Sequence, residues 1–127
     1  WVTFLDDDDE YLPSKIAAQA ELARRTGAPL VVCGYDFIRP RRTRTRQVDQ
    51  PVFAGDDILR RAHLGSPLLF HRRTEDLRFD PGLSAGEDMP YVLRLLRRHG
   101  QREIPCVPAP LVRVHAGTDG RSVHADK

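Results

Sequence analysis

The sequence has few of the residues that mark disulfide-stabilised, redox or membrane proteins. Its 127 residues include only two cysteines, Cys33 and Cys106. Both stand in apolar, β-prone surroundings and lack the spacing of a metal knuckle or a redox pair. No apolar run approaches the roughly 18 residues that a membrane-spanning helix requires, and no signal-peptide pattern opens the chain. We therefore expect two buried thiols and a cytoplasmic protein.

Lysine is also scarce, since the 20 basic residues include only Lys15 and Lys127 and are otherwise arginine. The net charge is +2, but acids crowd the first ten residues and five arginines lie between positions 39 and 46. This arginine cluster lacks interleaved aromatic residues, so we expect no nucleic-acid binding and interpret it as a solvated or diphosphate-facing loop. The length and a hydrophobic content of 40% fit a single domain with a modest core.

The most informative stretch is the first thirteen residues, in which an apolar, β-prone run ends in Asp6-Asp7-Asp8-Asp9-Glu10. The run predicts a strand over residues 1–5 that delivers carboxylates to its own C-terminal end, where α/β sheets bind ligands. Two interpretations stay open, because crowded like charges need either water or a cation to screen them. One is a solvated turn that caps the next helix. The other is a site for Mg²⁺ or Mn²⁺, which prefer oxygen ligands such as Asp6 and Asp8.

Apolar periodicity along the rest of the chain predicts alternating helices and strands. The first half contains a helix over 13–26 with an apolar stripe of Leu12, Ile16, Ala20 and Ala23, a strand over 29–38, an arginine-rich turn over 39–47 and a return strand over 48–53. The second half contains a short helix over 56–64, a strand over 67–71, a helix over 89–100 with an apolar face of Met89, Val92, Leu93 and Leu96, an extended approach over 104–110 and a last strand over 111–115. We expect the remaining residues, 116–127, to form a mobile tail.

A second acidic pair, Glu87-Asp88, stands directly before the predicted helix over 89–100. Proline is tolerated only in the first turn of a helix, so Pro90 places Asp88 at or near the N-cap. The plain interpretation of Asp88 is a helix cap, worth about 1 kcal/mol. A helix N-terminus also favours the charged form of a carboxylate, so we expect Asp88 to be deprotonated.

Three segments, in this order, resemble family 2 glycosyltransferases of the GT-A fold. Residues 4–13 are similar to the F-L-D-x-D-D-x-x-x-P segment that carries the D-x-D motif, Gly86-Glu87-Asp88 to the acidic pair, and Arg113-Val114-His115 to a late basic or histidine position. The resemblance implies an α/β fold with a partial GT-A (Rossmann-like) sheet and flanking helices, in one domain over 1–127. It covers only the second half of such an enzyme. We therefore expect the N-terminal nucleotide-binding strands to be missing and the 127 residues alone to lack turnover.

The resemblance also implies a function, the metal-dependent transfer of a sugar from a nucleotide-diphosphate donor to an acceptor hydroxyl with inversion. Asp6 and Asp8 match the metal-binding aspartates, and His115 completes the metal site or contacts the diphosphate. Asp88 matches the general base, and Arg113 is assigned to donor binding. The implied cofactor is Mg²⁺ or Mn²⁺, and the implied partners are a nucleotide-sugar donor and a sugar, lipid-linked or polysaccharide acceptor. Peripheral association with the inner face of the membrane is also implied.

Two other functions fit parts of the pattern. Phosphatases of the haloacid dehalogenase type also place a D-x-D motif after an apolar strand, with a later acidic pair on the metal. In that family Thr or Val stands where this chain has Glu10, and the Leu-Pro helix start is absent. The second alternative is a degenerate or truncated GT-A-like domain that binds an acceptor or a partner without turnover.

Overall fold

The computed structural model describes residues 1–39, 42–46, 52–54 and 64–115. In chain order its elements are β1 (Glu10–Tyr11), α1 (Lys15–Thr26), β2 (Leu30–Arg39), β3 (Arg42–Arg46), β4 (Val52–Ala54), a 3₁₀ helix (Ser66–Leu68), β5 (Phe70–His71), α2 (Asp88–His99) and β6 (Glu103–His115). No helix in these described ranges is long and apolar enough to cross a membrane. The cytoplasmic location stays a prediction.

The sheet is built around the parallel pair of β2 and β6. Its order is β1-β6-β2-β3, with β1 antiparallel to β6 and β3 antiparallel to β2. The short strands β4 and β5 add antiparallel pairs to β6 and β2 respectively. Parallel neighbours need a long crossover, and here the chain between β2 and β6 contains α2. This mixed arrangement confirms the predicted fold class, an α/β fold with a partial GT-A-like sheet.

The two helices cover opposite faces of the sheet, as the alternation of side chains along β2 shows. Val32 packs in one cluster with Val92 of α2. Its neighbour Val31 packs in another cluster with Leu22 of α1. Successive residues of a strand point to opposite faces, so β2 is apolar on both sides because each side carries a helix.

Both cysteines are buried, as predicted, and both are free thiols. Cys33 packs with Leu68 and Leu111 in a cluster on the α1 side, whereas Cys106 belongs to the cluster that contains α2 residues. Burial raises the pKa of each thiol to about 12. The two sulfur atoms therefore lie on adjacent strands but face different layers.

β6 contains a bulge where the sequence predicts an extended approach followed by a separate strand. The register passes from Cys33 opposite Val107 to Gly34 opposite Pro110, so two intervening residues of β6, one of them a proline, have no partner on β2. A proline has no N–H for the ladder and is tolerated at such a bulge. The approach and the last strand are therefore one continuous element.

The prediction of a strand over residues 1–5 is wrong. Only Val2 is paired, through an isolated antiparallel bridge to His71 with N···O distances of 2.7 and 3.0 Å. A regular strand needs a row of partner groups, and β5 offers only two residues. The apolar segment is instead held by its side chains, as Phe4 shows by contacting the rings of Phe79 and Tyr91.

The partner strand of β2 was also predicted from the wrong segment, since the sequence predicts a turn over 39–47 and a return strand over 48–53. The arginine-rich stretch predicted as a turn contains β3, whose residues 42–46 pair with residues 35–39 of β2. The predicted return strand is represented by β4, which pairs with β6 instead. Threonine favours strands, and an edge strand tolerates charged side chains, so alternating Arg and Thr form a strand once β2 offers a partner.

The predicted apolar stripe of α1 is right at Ala23 but wrong at Ile16 and Ala20. Ile16 is 44% exposed and Ala20 is exposed. The buried face consists of Lys15, Gln19, Leu22 and Ala23. In α2 the predicted Val92 and Leu96 are buried, but the other buried residues are Tyr91 and Leu95 rather than Met89 and Leu93.

Three further predictions can be compared with the structure only in part. The predicted strand over 67–71 consists of the end of the 3₁₀ helix and β5. Residues 56–63 of the predicted short helix lie outside the described residues. The predicted tail over 116–127 lies outside them too.

Candidate active site

The acidic run forms a tight turn, which we call the acidic turn (residues 6–9). The Asp9 N–H donates to the Asp6 carbonyl at 3.2 Å, and Asp7 and Asp8 form the corner. The side chains of Asp6, Asp7 and Asp8 are exposed, while Asp9 is half-buried. The turn therefore presents three carboxylates to solvent from a short, closed piece of backbone.

The charges of the acidic turn oppose one another and extend to the start of α2. Burial raises the pKa of Asp6, and the neighbouring charges of Asp8 and Glu87 raise it further. Burial also raises the pKa of Asp9 to about 6, although the N–H of His115 partly offsets this. Phe4, two residues before the acidic turn, contacts the ring of Tyr91 in α2 at a centroid distance of 5.6 Å, so the turn lies near the start of a helix about 80 positions later in the sequence.

Asp88 is the first residue of α2 and does not cap it. Glu87 occupies the N-cap position, and its side chain makes no capping hydrogen bond. Asp88 Oδ1 instead accepts the backbone N–H of Ser66 at 3.2 Å. Burial, followed by the charge of Glu87 and with a contribution from Asp6, raises the pKa of Asp88 to about 6. The expected stabilisation of the charged form by the helix N-terminus is therefore wrong in its net direction, because burial dominates.

The end of β6 lies beside the acidic run, since Glu10 of β1 is in register with Arg113. Arg113 Nη1 is 3.3 Å from Glu10 Oε2, and His115 Nε2 is 3.3 Å from Glu10 Oε1. The backbone N–H of His115 donates to Asp9 Oδ1 at 3.0 Å. The carboxylate of Glu10, which the sequence analysis gave no role, thus contacts both predicted basic residues.

The sequence model of glycosyl transferase family 2 matches residues 1–92. The chain belongs to glycosyl transferase family 2. The matched range includes the acidic turn and the start of α2, the two regions that the fold brings together, whereas Arg113 and His115 lie beyond it. Membership implies, in general, a nucleotide-sugar donor and an acceptor. No curated protein matches the chain.

The acidic residues of this glycosyltransferase fit a hard divalent cation by their chemistry, but they do not form a finished site. In the described ranges, no three His, Cys, Asp or Glu side chains converge as metal ligands. His115 Nε2 is buried and has no hydrogen-bond partner among the described residues, because its approach to Glu10 is within ion-pair distance but not in hydrogen-bond geometry. A free ring nitrogen beside carboxylates that repel one another is compatible with a cation, which would relieve both.

Lys15 is the feature of this glycosyltransferase that the sequence analysis missed most clearly. Its side chain is fully buried, and burial lowers its pKa to about 8. A helical-periodicity argument assigns buried positions to apolar residues, so it placed Lys15 outside the buried face. The one feature of the sequence that could have drawn attention to Lys15 is composition, since it is the only lysine in the described part of an arginine-rich chain.

His71 has a structural role in the described contacts. It is 1% exposed. Its Nδ1 lies 2.7 Å from the Arg72 carbonyl, which can only accept, so Nδ1 carries the proton. Nε2 then accepts the Tyr91 hydroxyl at 3.1 Å. Both ring nitrogens are therefore engaged within the fold.

Proposed function

We propose that this chain carries the cation-binding and base-bearing part of an inverting family 2 glycosyltransferase. The donor is a nucleotide-diphosphate sugar, and the acceptor is a hydroxyl of a sugar, a lipid-linked saccharide or a polysaccharide. Asp6 and Asp8 are the proposed ligands of Mg²⁺ or Mn²⁺, with His115 as a further ligand. Asp88 is the proposed general base, and Arg113 the proposed contact to the donor.

The observation that carries this proposal is the proximity of the acidic turn to the start of α2. Phe4, just before the turn, packs against Tyr91 of α2. Burial and then the charges of Asp8 and Glu87 raise the pKa of Asp6, and the charge of Asp6 adds to the effects of burial and Glu87 on the pKa of Asp88. Such repulsion destabilises the folded chain unless a ligand compensates it. A divalent cation held by Asp6 and Asp8 would supply this compensation and would neutralise the charge of a leaving diphosphate.

The surroundings of Asp88 suit a general base. Its carboxylate is held by the Ser66 N–H and is freed from capping its own helix. A pKa of about 6 leaves it mostly ionised at neutral pH and makes it a stronger proton acceptor than an ordinary aspartate. In the proposed step, the acceptor oxygen bonds to the anomeric carbon, its proton passes to Asp88, and the bond to the diphosphate breaks. A single displacement of this kind inverts the anomeric configuration.

Arg113 supports donor binding through its exposure and position. Its guanidinium is 49% exposed and contacts the carboxylate of Glu10, which is itself 54% exposed. Ion pairs between exposed groups are weak, so a diphosphate can replace Glu10 as the partner of the guanidinium. This assignment predicts that removing the Arg113 side chain lowers the affinity for the donor more strongly than it lowers the stability of the fold.

The test is a titration of Mn²⁺, with and without a nucleoside diphosphate, into the complete protein and three variants. Asp6→Ala and Asp8→Ala should each weaken Mn²⁺ binding by about tenfold or more, as expected for removal of a charged ligand. Asp7→Ala is the matched control, because it removes the same charge from the same turn but from a position outside the proposed ligand set. Equal affinities in Asp8→Ala and the parent would contradict the assignment. Metal-dependent nucleotide binding without sugar transfer would favour a non-catalytic binding domain.

A further inference from the structure

The acidic turn is closed at its base by contacts between Thr3 and Phe4, which precede it, and Tyr11, which follows it. We call these three residues the neck. The Tyr11 hydroxyl donates to the Phe4 carbonyl and lies 2.8 Å from Thr3 Oγ1. The Thr3 hydroxyl donates to the Leu69 carbonyl at 2.7 Å. The entry and exit of the turn are thus joined to each other and to the segment before β5.

Lys15 contacts both sides of the neck from the buried face of α1. Its Nζ donates to Thr3 Oγ1 at 2.9 Å and lies 4.0 Å from the centre of the Tyr11 ring. No carboxylate of the described residues is within ion-pair distance of this ammonium. An ammonium over an aromatic face is attracted by the ring, and the attraction is stronger where water is excluded.

Stability alone does not account for a lysine at this position. Burying an ammonium without a counter-ion is unfavourable, and the lowered pKa of Lys15 reflects that penalty. An unbranched apolar side chain such as methionine would fill a similar volume without it. What methionine cannot supply is the pair of contacts that hold Thr3 and Tyr11 at fixed positions.

We propose that Lys15 is a positioning residue for the acidic turn, whose ammonium fixes the neck so that Asp6 and Asp8 keep the arrangement used in cation binding. This inference rests on the proposed function, because it takes the turn to be the cation site. It adds that Lys15, a residue of α1 that contacts none of the proposed metal-binding side chains, sets the geometry of that site through the neck.

The same helix face supplies a matched control. Gln19 lies one turn after Lys15 and is equally buried. Its Nε2 donates to the Leu68 carbonyl at 2.9 Å, a contact that does not involve the neck. Lys15→Met and Gln19→Met therefore remove comparable buried polar groups, but only the first alters the base of the acidic turn.

The experiment compares these variants in the complete protein by melting temperature, Mn²⁺ titration and amide hydrogen exchange. The informative amides are those of Asp9, bonded to the Asp6 carbonyl, and Leu12, bonded to the Leu111 carbonyl. Lys15→Met should melt at or above the temperature of the parent, yet lose about tenfold in Mn²⁺ affinity and exchange these amides about tenfold faster. Gln19→Met should leave affinity and exchange within about twofold of the parent.

Unchanged exchange and unchanged affinity in Lys15→Met would overturn the inference. If Lys15→Met does not fold, Thr3→Val removes the acceptor of the ammonium and should accelerate the same two amides; no acceleration there overturns the inference as well. If the parent binds no Mn²⁺, the proposed cation site is wrong. Faster exchange in Lys15→Met would then still support the positioning role, and unchanged exchange would still defeat it.

Discussion

The two half-buried aspartates of the site are each held by one backbone N–H from a distant part of the chain. Asp9 accepts from His115, and Asp88 accepts from Ser66. Such hydrogen bonds do not replace the water that burial removes, so burial raises the pKa of each carboxyl to about 6. Their environment therefore makes both carboxylates stronger bases than an ordinary aspartate.

Asp88→Asn separates the structural role of this side chain from its proposed catalytic role. The stabilising contribution of a carboxyl with a raised pKa is present below about pH 4 and lost as the pH rises through about 6, so the charge destabilises the fold at pH 7.5. Asparagine removes the charge and keeps an acceptor for the Ser66 N–H. We expect a melting temperature at or above that of the parent, with sugar transfer reduced about 10²–10⁴-fold.

The matched control for this substitution is Asp80→Asn, which changes an exposed carboxylate in the loop before α2. Asp80 accepts the Gly82 N–H, and asparagine can do the same. Melting temperature and transfer should both stay at the parent values. If Asp88→Asn also transfers sugar within a few-fold of the parent, Asp88 is not the base.

Lys15 gives a pH dependence of the opposite sign. Its pKa is lowered to about 8 in the folded protein, against about 10.4 in an unfolded chain. The stabilising contribution of such a group is present above the unfolded pKa and lost as the pH falls through the folded pKa. Thermal melts of the parent and Lys15→Met at pH 8 and pH 10 should show the parent gaining relative to the variant at the higher pH. A difference that does not change with pH would refute the shift.

Among the elements, the connection from α2 to β6 depends on the side chain of Gln101. Its Oε1 accepts the Leu30 N–H at 3.0 Å, and its Nε2 donates to the Leu30 carbonyl at 2.8 Å. The amide thus takes the place of a neighbouring strand at the first residue of β2. Leu30 is fully buried, so water cannot easily replace these bonds.

Gln101→Ala should therefore lower the free energy of unfolding by about 1–3 kcal/mol, the usual effect of leaving buried polar groups unpaired. Arg102→Ala, at the exposed neighbouring position, is the control and should be nearly neutral. Urea denaturation of both variants measures the difference. Equal midpoints for Gln101→Ala and Arg102→Ala would show that the amide does not anchor β2.

The ends of α2 were predictable from the sequence, whereas the buried face of α1 was not. Pro90 limits how far upstream α2 can begin, and Gly100 adopts the left-handed conformation, φ 61°, that ends it. Both signals are local. Lys15 and Gln19 are buried because Thr3 and the Leu68 carbonyl offer hydrogen bonds to them. Such partners are set by tertiary structure, so periodicity within the helix could not indicate them.

At the scale of the whole molecule, the site joins two distant parts of the sequence. Nothing in the spacing of Asp6 and Asp88 assigns them to one site, and only the resemblance of three ordered motifs grouped them there. The metal-binding and catalytic roles of these carboxylates stay predictions. The contacts of Glu10 and Ser66 could not be predicted from the sequence, because one depends on the register of β1 with β6 and the other on a backbone N–H.

A cation bound at the acidic turn should consequently stabilise both parts together. Mn²⁺ at about 100 times its dissociation constant should add about 2.7 kcal/mol to the free energy of unfolding. Hydrogen exchange should slow in residues 3–10 and also in residues 87–91, although these two segments are far apart in the sequence. The variant with both Asp6→Ala and Asp8→Ala should show neither effect. An equal rise of its melting temperature would place the cation elsewhere.

The two buried cysteines allow the opening of each side of the sheet to be measured separately by chemical modification of their thiols. With a pKa of about 12, each thiol is almost wholly unreactive towards alkylating reagents at neutral pH while it is buried. Modification of a thiol therefore measures how often its side of the sheet opens to solvent. Cys33 reports on the α1 layer, and Cys106 reports on the α2 layer. Because the ladder between β2 and β6 supports both, a pulse of reagent followed by mass spectrometry distinguishes one cooperative opening from the separate loss of either layer.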